Sequence, residues 1–243
     1  MNQLANKTML ITGASSGFGR AIALACAEAG ADVALVARRR DALEEIAAQI
    51  ATTGGRAAVC PADIADETQI RAAVEQALAE LGQIDVLVNT AGTNFPQRGI
   101  METAPAQWAE ILNVNLTSAY LFTHLLLPDM IARQAGMIIN VSSIAGIHPR
   151  LRSGVAYSAS KMGMDALNRI TNEESNPHRV RACLICPGDS NTPLLDKRPA
   201  PPSPEQRSQI LQPEDIAQAV VFVAGLPPHV LVEQMTIRPV AQP

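Results

Sequence analysis

Two kinds of hydrophobic pattern alternate along the chain. Short runs in which apolar residues simply follow one another are T-M-L-I-T (8–12), D-V-A-L-V (32–36), A-A-V-C (57–60), I-D-V-L-V-N (84–89), G-M-I-I-N-V-S (136–142), R-V-R-A-C-L-I (179–185) and Q-M-T-I (234–237). Each is too short and too uniformly apolar for a sheet with one wet face, which predicts strands buried on both sides. Between them lie longer alanine-rich runs with helical spacing of apolar positions, over 16–29, 41–51, 66–81, 103–133, 155–174 and 213–224, the fourth opening on Thr103 and Pro105. Strand-helix alternation of this kind predicts an α/β fold: a doubly wound parallel sheet of about seven strands with helices on both faces.

The rhythm breaks over 189–212, where T-P-L-L-D-K-R-P-A-P-P-S-P-E holds five prolines. Such a stretch cannot be a central strand or a regular helix, and one helix plus one strand after it are too little for a second domain. The chain therefore reads as a single domain, 1–243, with a proline-rich substrate loop. Net charge is -4 and the 19 basic residues are scattered, which argues against a nucleic-acid partner. No apolar run reaches bilayer length, and M-N-Q-L-A-N-K-T lacks the charged-then-apolar pattern of a secretion signal, so a cytoplasmic protein with small-molecule partners and no membrane partner is expected. Cys183 and Cys186, three apart on an expected strand, would face opposite ways; buried structural thiols are expected, and the dispersed histidines offer no metal site.

The first strand runs into T-G-A-S-S-G-F-G (12–19) and then a helix. Gly13, Gly17 and Gly19 let the backbone turn tightly and approach a bulky anion, and the N–H groups of Ser15, Ser16 and Phe18 lie where a helix start favours pyrophosphate.

With N-T-A-G at 89–92 and Y-S-A-S-K at 157–161, this turn resembles the short-chain dehydrogenase/reductase family over nearly the whole chain, in the right order. The resemblance implies a Rossmann-like sheet with a nicotinamide dinucleotide across the carboxyl ends of its strands. It assigns cofactor contacts to Asn89, Ala91, Gly92, Pro187 and Gly188, adenine contacts to Asp63 and Ile64, and the nicotinamide carboxamide to Thr192. It also implies a homo-oligomer, dimer or tetramer, through the apolar faces of the helices starting at Val155 and Pro213. Thr90 replaces the second asparagine common in the family, and the chain end lacks the Asp-Gly-Gly of many ketoacyl-reductase-like members, so no fatty-acid role carries over.

At the end of the second strand an acid would bind a ribose hydroxyl and a basic residue a ribose phosphate. Here Ala37 stands in that place and Arg38, Arg39 and Arg40 follow, which favours NADP over NAD. Ser16 stands where some NADP-using relatives carry a further basic residue.

On a helix, Tyr157 and Lys161 share a face one turn apart. A hydroxyl acid that protonates a carbonyl needs its pKa moved toward neutrality by roughly three units, about 4 kcal/mol. One positive charge about 4 Å away, at an effective dielectric of about 20, supplies that much. Taken alone, the pair also fits an incidental surface contact. Within the family pattern Tyr157 is the general acid/base, Lys161 lowers its pKa and holds the nicotinamide ribose, Ser143 binds the substrate oxygen in preference to Ser142, and Asn115, beside the decoy Asn113, supports a proton path to Lys161.

The function expected is an NADP(H)-dependent oxidoreductase interconverting an alcohol and a carbonyl of a small molecule. Its alternatives are a nucleotide-sensing binding protein on the same fold and an epimerase or dehydratase using transient hydride transfer. Thr93, Asn94, Phe95, Ile144, His148, Arg150, Asp189 and Leu194 lie on loops expected to line the substrate end, and Arg98, Arg150 and Arg152 hint at an anionic substrate.

Overall fold

The computed structural model describes residues 3–240. In chain order the elements are β1 (Thr8–Thr12), α1 (Gly17–Glu28), β2 (Asp32–Ala37), α2 (Arg40–Thr52), β3 (Ala57–Pro61), α3 (Glu67–Leu81), β4 (Val86–Asn89), α4 (Pro105–Leu112), α5 (Ser118–Arg133), β5 (Gly136–Val141), α6 (Val155–Ser175), β6 (Val180–Pro187), α7 (Pro204–Ser208), α8 (Pro213–Ala224) and β7 (Gln234–Ile237). The strands form one seven-stranded sheet in the order β3-β2-β1-β4-β5-β6-β7. Every pairing is parallel.

The order reverses between β1 and β4, so their following loops part to opposite sides and leave a crevice at the carboxyl ends. Alternate strand residues feed two cores. Met9, Ile11 and Ile185 pack with Ile22, Leu43 and Val220 of α1, α2 and α8. Leu10, Ile138 and Ala182 pack with Ile70, Phe122 and Leu126 of α3 and α5. Cys183 falls in the first core and Cys186 on the opposite face with Met164 of α6, so the two thiols do not meet. All four cysteines are free and buried, and burial pushes Cys26, Cys60 and Cys183 up to about 12 and Cys186 to about 11, far from a reactive thiolate.

Three elements depart from the sequence pattern. The edge strand β7 alternates exposed and half-buried positions, because Met235 and Ile237 face the first core while Gln234 and Thr236 point to the open face. The run 103–133 is not one helix: α4 starts at Pro105, and a single π-helical turn, Asn113–Thr117, separates it from α5. Within 189–212 the chain forms a 3-10 turn, Pro193–Lys197, and the short helix α7, where Ser203 caps the backbone N–H of Gln206. None of the described helices is long and apolar enough to cross a membrane.

Candidate active site

A cleft of about 350 Å³ runs along the carboxyl ends of the strands. At one end is the turn between β1 and α1. Gly13 and Gly17 have φ of 68° and 52°, a conformation that glycine adopts without strain. Gly19 is needed for another reason: a Cβ there would lie 2.3 Å from the Gly13 carbonyl oxygen. The N-cap Ser16 makes no side-chain cap, so the first N–H groups of α1 remain for an anion. The turn is braced from β4, where Thr90 and Ala91 donate their N–H groups to Thr12 Oγ1 at 3.1 and 3.3 Å. The Thr90 hydroxyl donates to the Thr12 carbonyl, so the threonine standing for asparagine strengthens this brace.

Ala37, Arg38, Arg39, Asp63 and Ile64 continue the wall beyond the turn. Arg39 bends over it, its Nη2 donating to the Ser15 carbonyl at 2.9 Å and to Ser15 Oγ at 3.3 Å. Arg40 instead pairs with Glu44 on its own helix at 3.5 Å and does not line the cleft. Asp63 Oδ1 accepts from the Ala65 N–H at 3.0 Å, fixing the loop after β3.

Toward the other end come Ala91, Gly92, Thr93, Tyr157, Lys161, Thr192 and Leu194. Lys161 is 3% exposed, and its Nζ donates to the Val141 carbonyl at 2.9 Å. It stands 5.8 Å from the centroid of the Tyr157 ring. Loss of solvation lowers the lysine to about 8, with Cys186 acting weakly the other way. Tyr157 keeps part of its ring accessible, but burial around its hydroxyl raises it above the ordinary tyrosine value. A hydrogen bond with Ser143, then the charges of Arg198 and Arg98, pull it back down. Lys161 is not among the groups that shift Tyr157 here. The ammonium is aimed at a backbone carbonyl and is itself desolvated, and the down-shifting groups are a serine and two arginines.

Ser143 begins the 3-10 turn Ile144–Gly146, its Oγ accepting the Ala145 N–H at 3.1 Å, and lies beside Tyr157 in the adjoining cavity. Ser142 is occupied structurally, donating to the Lys161 carbonyl at 3.0 Å. Asn115 sits on the π turn, 1% exposed. It clamps both sides of Thr93: Oδ1 accepts its N–H at 2.7 Å and Nδ2 donates to its carbonyl at 3.0 Å, with a further bond from Nδ2 to Ser160 Oγ at 3.1 Å. No direct bond joins it to Lys161; a Cβ on Gly92 would lie 3.6 Å from Asn115 Oδ1 and 3.9 Å from Lys161 Nζ, so Gly92 keeps the two groups in view of each other. Asn113 donates to the Ala65 carbonyl at 2.8 Å, a tether between loops.

A smaller cavity, about 100 Å³, opens off the cleft at Tyr157. Asn94, Ile144, His148, Arg150, Asp189 and Leu194 line it, with Pro187, Gly188 and Thr192 at its border. Phe95 does not line it; its N–H donates to Asn94 Oδ1 at 2.9 Å. Asn89 also stays out of the cleft. It is 3% exposed and starts a chain of buried amides, Asn89 to Asn140 at 2.9 Å and Asn140 to Asn168 at 3.1 Å. A fully apolar strand interrupted by Asn140 was the available signal for that chain. Sequence reasoning missed Arg198 and Lys197, which the proline-rich loop returns to the site. Lys197 Nζ donates to Thr93 Oγ1 at 2.9 Å, and Arg198 Nη2 to Asp189 Oδ1 at 2.7 Å.

Comparison with known proteins agrees with this architecture. The family model described as short chain dehydrogenase matches residues 7–202. An uncharacterized oxidoreductase of Staphylococcus aureus is 31% identical over 99% of this chain and 100% of its own length. A glycine betaine reductase of Emericella nidulans is 34% identical over 99% of this chain, which spans only 19% of that protein. Among solved structures, a metagenomic short-chain oxidoreductase in complex with NADP shares 33% identity over 99% of this chain and 100% of that one, TM-score 0.85. A 3-ketoacyl-(acyl-carrier-protein) reductase from Brucella melitensis complexed with NADH shares 30% identity over 98% of each chain, TM-score 0.87.

Proposed function

The chain belongs to the short-chain dehydrogenase family, and from that premise we propose that it is an NADP(H)-dependent oxidoreductase interconverting an alcohol and a carbonyl of a small molecule, with Tyr157 as general acid/base. One observation carries the reading: a single cleft joins Arg38 and Arg39, by way of the glycine turn, to Tyr157 and Lys161. The bound dinucleotide would supply or accept a hydride at its nicotinamide. The glycine cradle, which a Cβ would fill, and the uncapped N–H groups of α1 suit its pyrophosphate. Arg39 and Arg38 beside Ala37 suit a ribose phosphate, since no acid stands there to repel it.

In the reducing direction, Ser143 donates to the carbonyl oxygen and Tyr157 passes it a proton as negative charge gathers there. Burial keeps the phenol protonated at neutral pH, the state a donor needs. In the oxidising direction, the Ser143 hydrogen bond and the two guanidinium groups offset part of the burial cost of the phenolate that accepts the proton. Lys161, lying behind the ring, binds the ribose edge, and Asn115 fixes Thr93 and so the floor of the cleft. Self-association through α6 and α8 goes with this reading, Met162, Ile170 and Phe222 being exposed there.

The test follows nicotinamide absorbance with both dinucleotides against aldehydes, ketones, hydroxy acids and sugars. Tyr157→Phe should lower kcat on the order of a thousandfold while leaving dinucleotide affinity within about twofold, since the ring that packs in the cleft is kept. Activity surviving in this variant sinks the assignment.

A further inference from the structure

Resting on the oxidoreductase reading, we propose that the substrate is a short oxo acid or hydroxy acid whose carboxylate is held by the guanidinium of Arg98 beside Tyr157.

Arg98 is 6% exposed and lines the small cavity. Its Nη1 donates to the Ser153 carbonyl at 3.1 Å and its Nη2 to the Lys197 carbonyl at 3.0 Å. Two carbonyls orient the group without neutralising it, and no ion pair among the described residues includes it. Its Nε is buried with no hydrogen-bond partner. A guanidinium carries five N–H donors in a planar fork, so donors remain after both carbonyls are served. A buried cation of this kind is costly unless an anion joins it.

The surroundings are built to keep it there. Gly154 has φ of 89°, and a Cβ on it would lie 3.0 Å from Arg98 Cδ, so the glycine clears the path of the side chain. Around the cavity, Arg98, Arg150, Arg152 and Arg198 face a single carboxylate, Asp189. That carboxylate is already shared by Arg152 at 3.2 Å and Arg198 at 2.7 Å. The cavity therefore carries an excess of positive charge, and Arg98, deeply buried, has no carboxylate partner among the described residues.

Size and placement narrow the ligand. About 100 Å³ is well below the roughly 300–1,000 Å³ of a pocket for a drug-sized ligand, which suits a molecule of a few carbons. Arg98, Ser143 and Tyr157 line this one small cavity, so the anion and the reacting carbonyl fit within one short molecule. The carboxylate is unchanged by the reaction; it fixes which carbonyl meets Ser143 and Tyr157.

The test compares acids with neutral ketones of the same shape: pyruvate with isopropyl methyl ketone, acetoacetate with isobutyl methyl ketone, and levulinate with isopentyl methyl ketone. Turnover is measured with NADPH, and binding to the NADPH-saturated protein by calorimetry. In at least one pair the acid should bind, and react where turnover occurs, at least tenfold better than its ketone. Arg98→Met should reduce that acid-to-ketone ratio about tenfold, a quantity independent of how much of the variant is folded, and Arg98→Lys should restore part of it. Equal binding of acid and ketone in all three pairs, or a ratio unmoved by Arg98→Met, overturns this inference alone. Preferential acid binding without turnover of any compound in the wider panel leaves the anion site standing and removes the oxidoreductase reading.

Discussion

At the glycine-turn end of the cleft the floor is backbone and small side chains hung directly from strand ends, with Arg38 and Arg39 at its rim; at the Tyr157 end, Tyr157 and Lys161 of α6 are surrounded by long, charged side chains carried by loops. Thr12, Gly13, Thr90 and Ala91 belong to the ends of β1 and β4, adjacent in the sheet, and their mutual hydrogen bonds are satisfied within the protein. At the far end, Arg98 is held from Ser153 and Lys197, and Asp189 from Arg152 and Arg198, across segments distant in sequence. That end also buries the lysine whose pKa falls to about 8. The first region is held together at little electrostatic cost, whereas the second stores uncompensated charge around Tyr157, a trade of stability that the proposed function would explain.

The contrast breaks if Lys161 proves harmless to folding. Its pKa is about 8 in the folded protein and 10.5 in the unfolded chain, so the unfolded state binds more protons between these values and stability rises with pH across that window. The burden is fully present below about 8 and relieved above 10.5. Chemical denaturation should therefore show wild type gaining roughly 3 kcal/mol relative to Lys161→Met over that window. A difference that stays flat with pH would place the lysine neutral or well solvated throughout.

A smaller effect is expected at the glycine-turn end, where stability rests on space and not on charge. Gly19→Ala sets a methyl against the Gly13 carbonyl, and unfolding titrations should show a loss of about 1–3 kcal/mol, independent of pH. Dinucleotide affinity should fall with it, because the cradle has to shift to admit the methyl.

Smallest is the change that separates the two dinucleotides. Arg39→Ala should weaken NADPH about tenfold, in the range of one charge-assisted hydrogen bond to an anion, and leave NADH affinity near its starting value. Isothermal titration with both would read the ratio, and equal losses for the two would assign Arg39 to bracing Ser15 alone.

Much of this molecule was legible in the pattern of residues. Unbroken apolar runs marked the inner strands because both faces are covered, and the bounds of β1, α8 and the half-exposed β7 fall where the sequence put them. The glycine turn was readable because each glycine answers a backbone constraint, and the Tyr157–Lys161 spacing because a helix brings residues four apart to one face. Other features had no local signature. The π turn that carries Asn115 lies inside a run with unbroken helical spacing, and Asn89 was diverted from the cleft by Asn140, its partner on the neighbouring strand. An arginine before a proline in a loop, as at Arg198, says nothing until the fold carries it to Asp189.

By itself, then, the sequence determined the order of strands and helices, the glycine turn and the pairing of phenol with ammonium, all consequences of short-range periodicity and backbone sterics. Only the tertiary structure decided the electrostatics of the site. Whether Lys161, Arg98 and Asp189 meet solvent, a carbonyl or an opposite charge depends on loops far apart in the chain, and burial sets the strength of every charge it encloses.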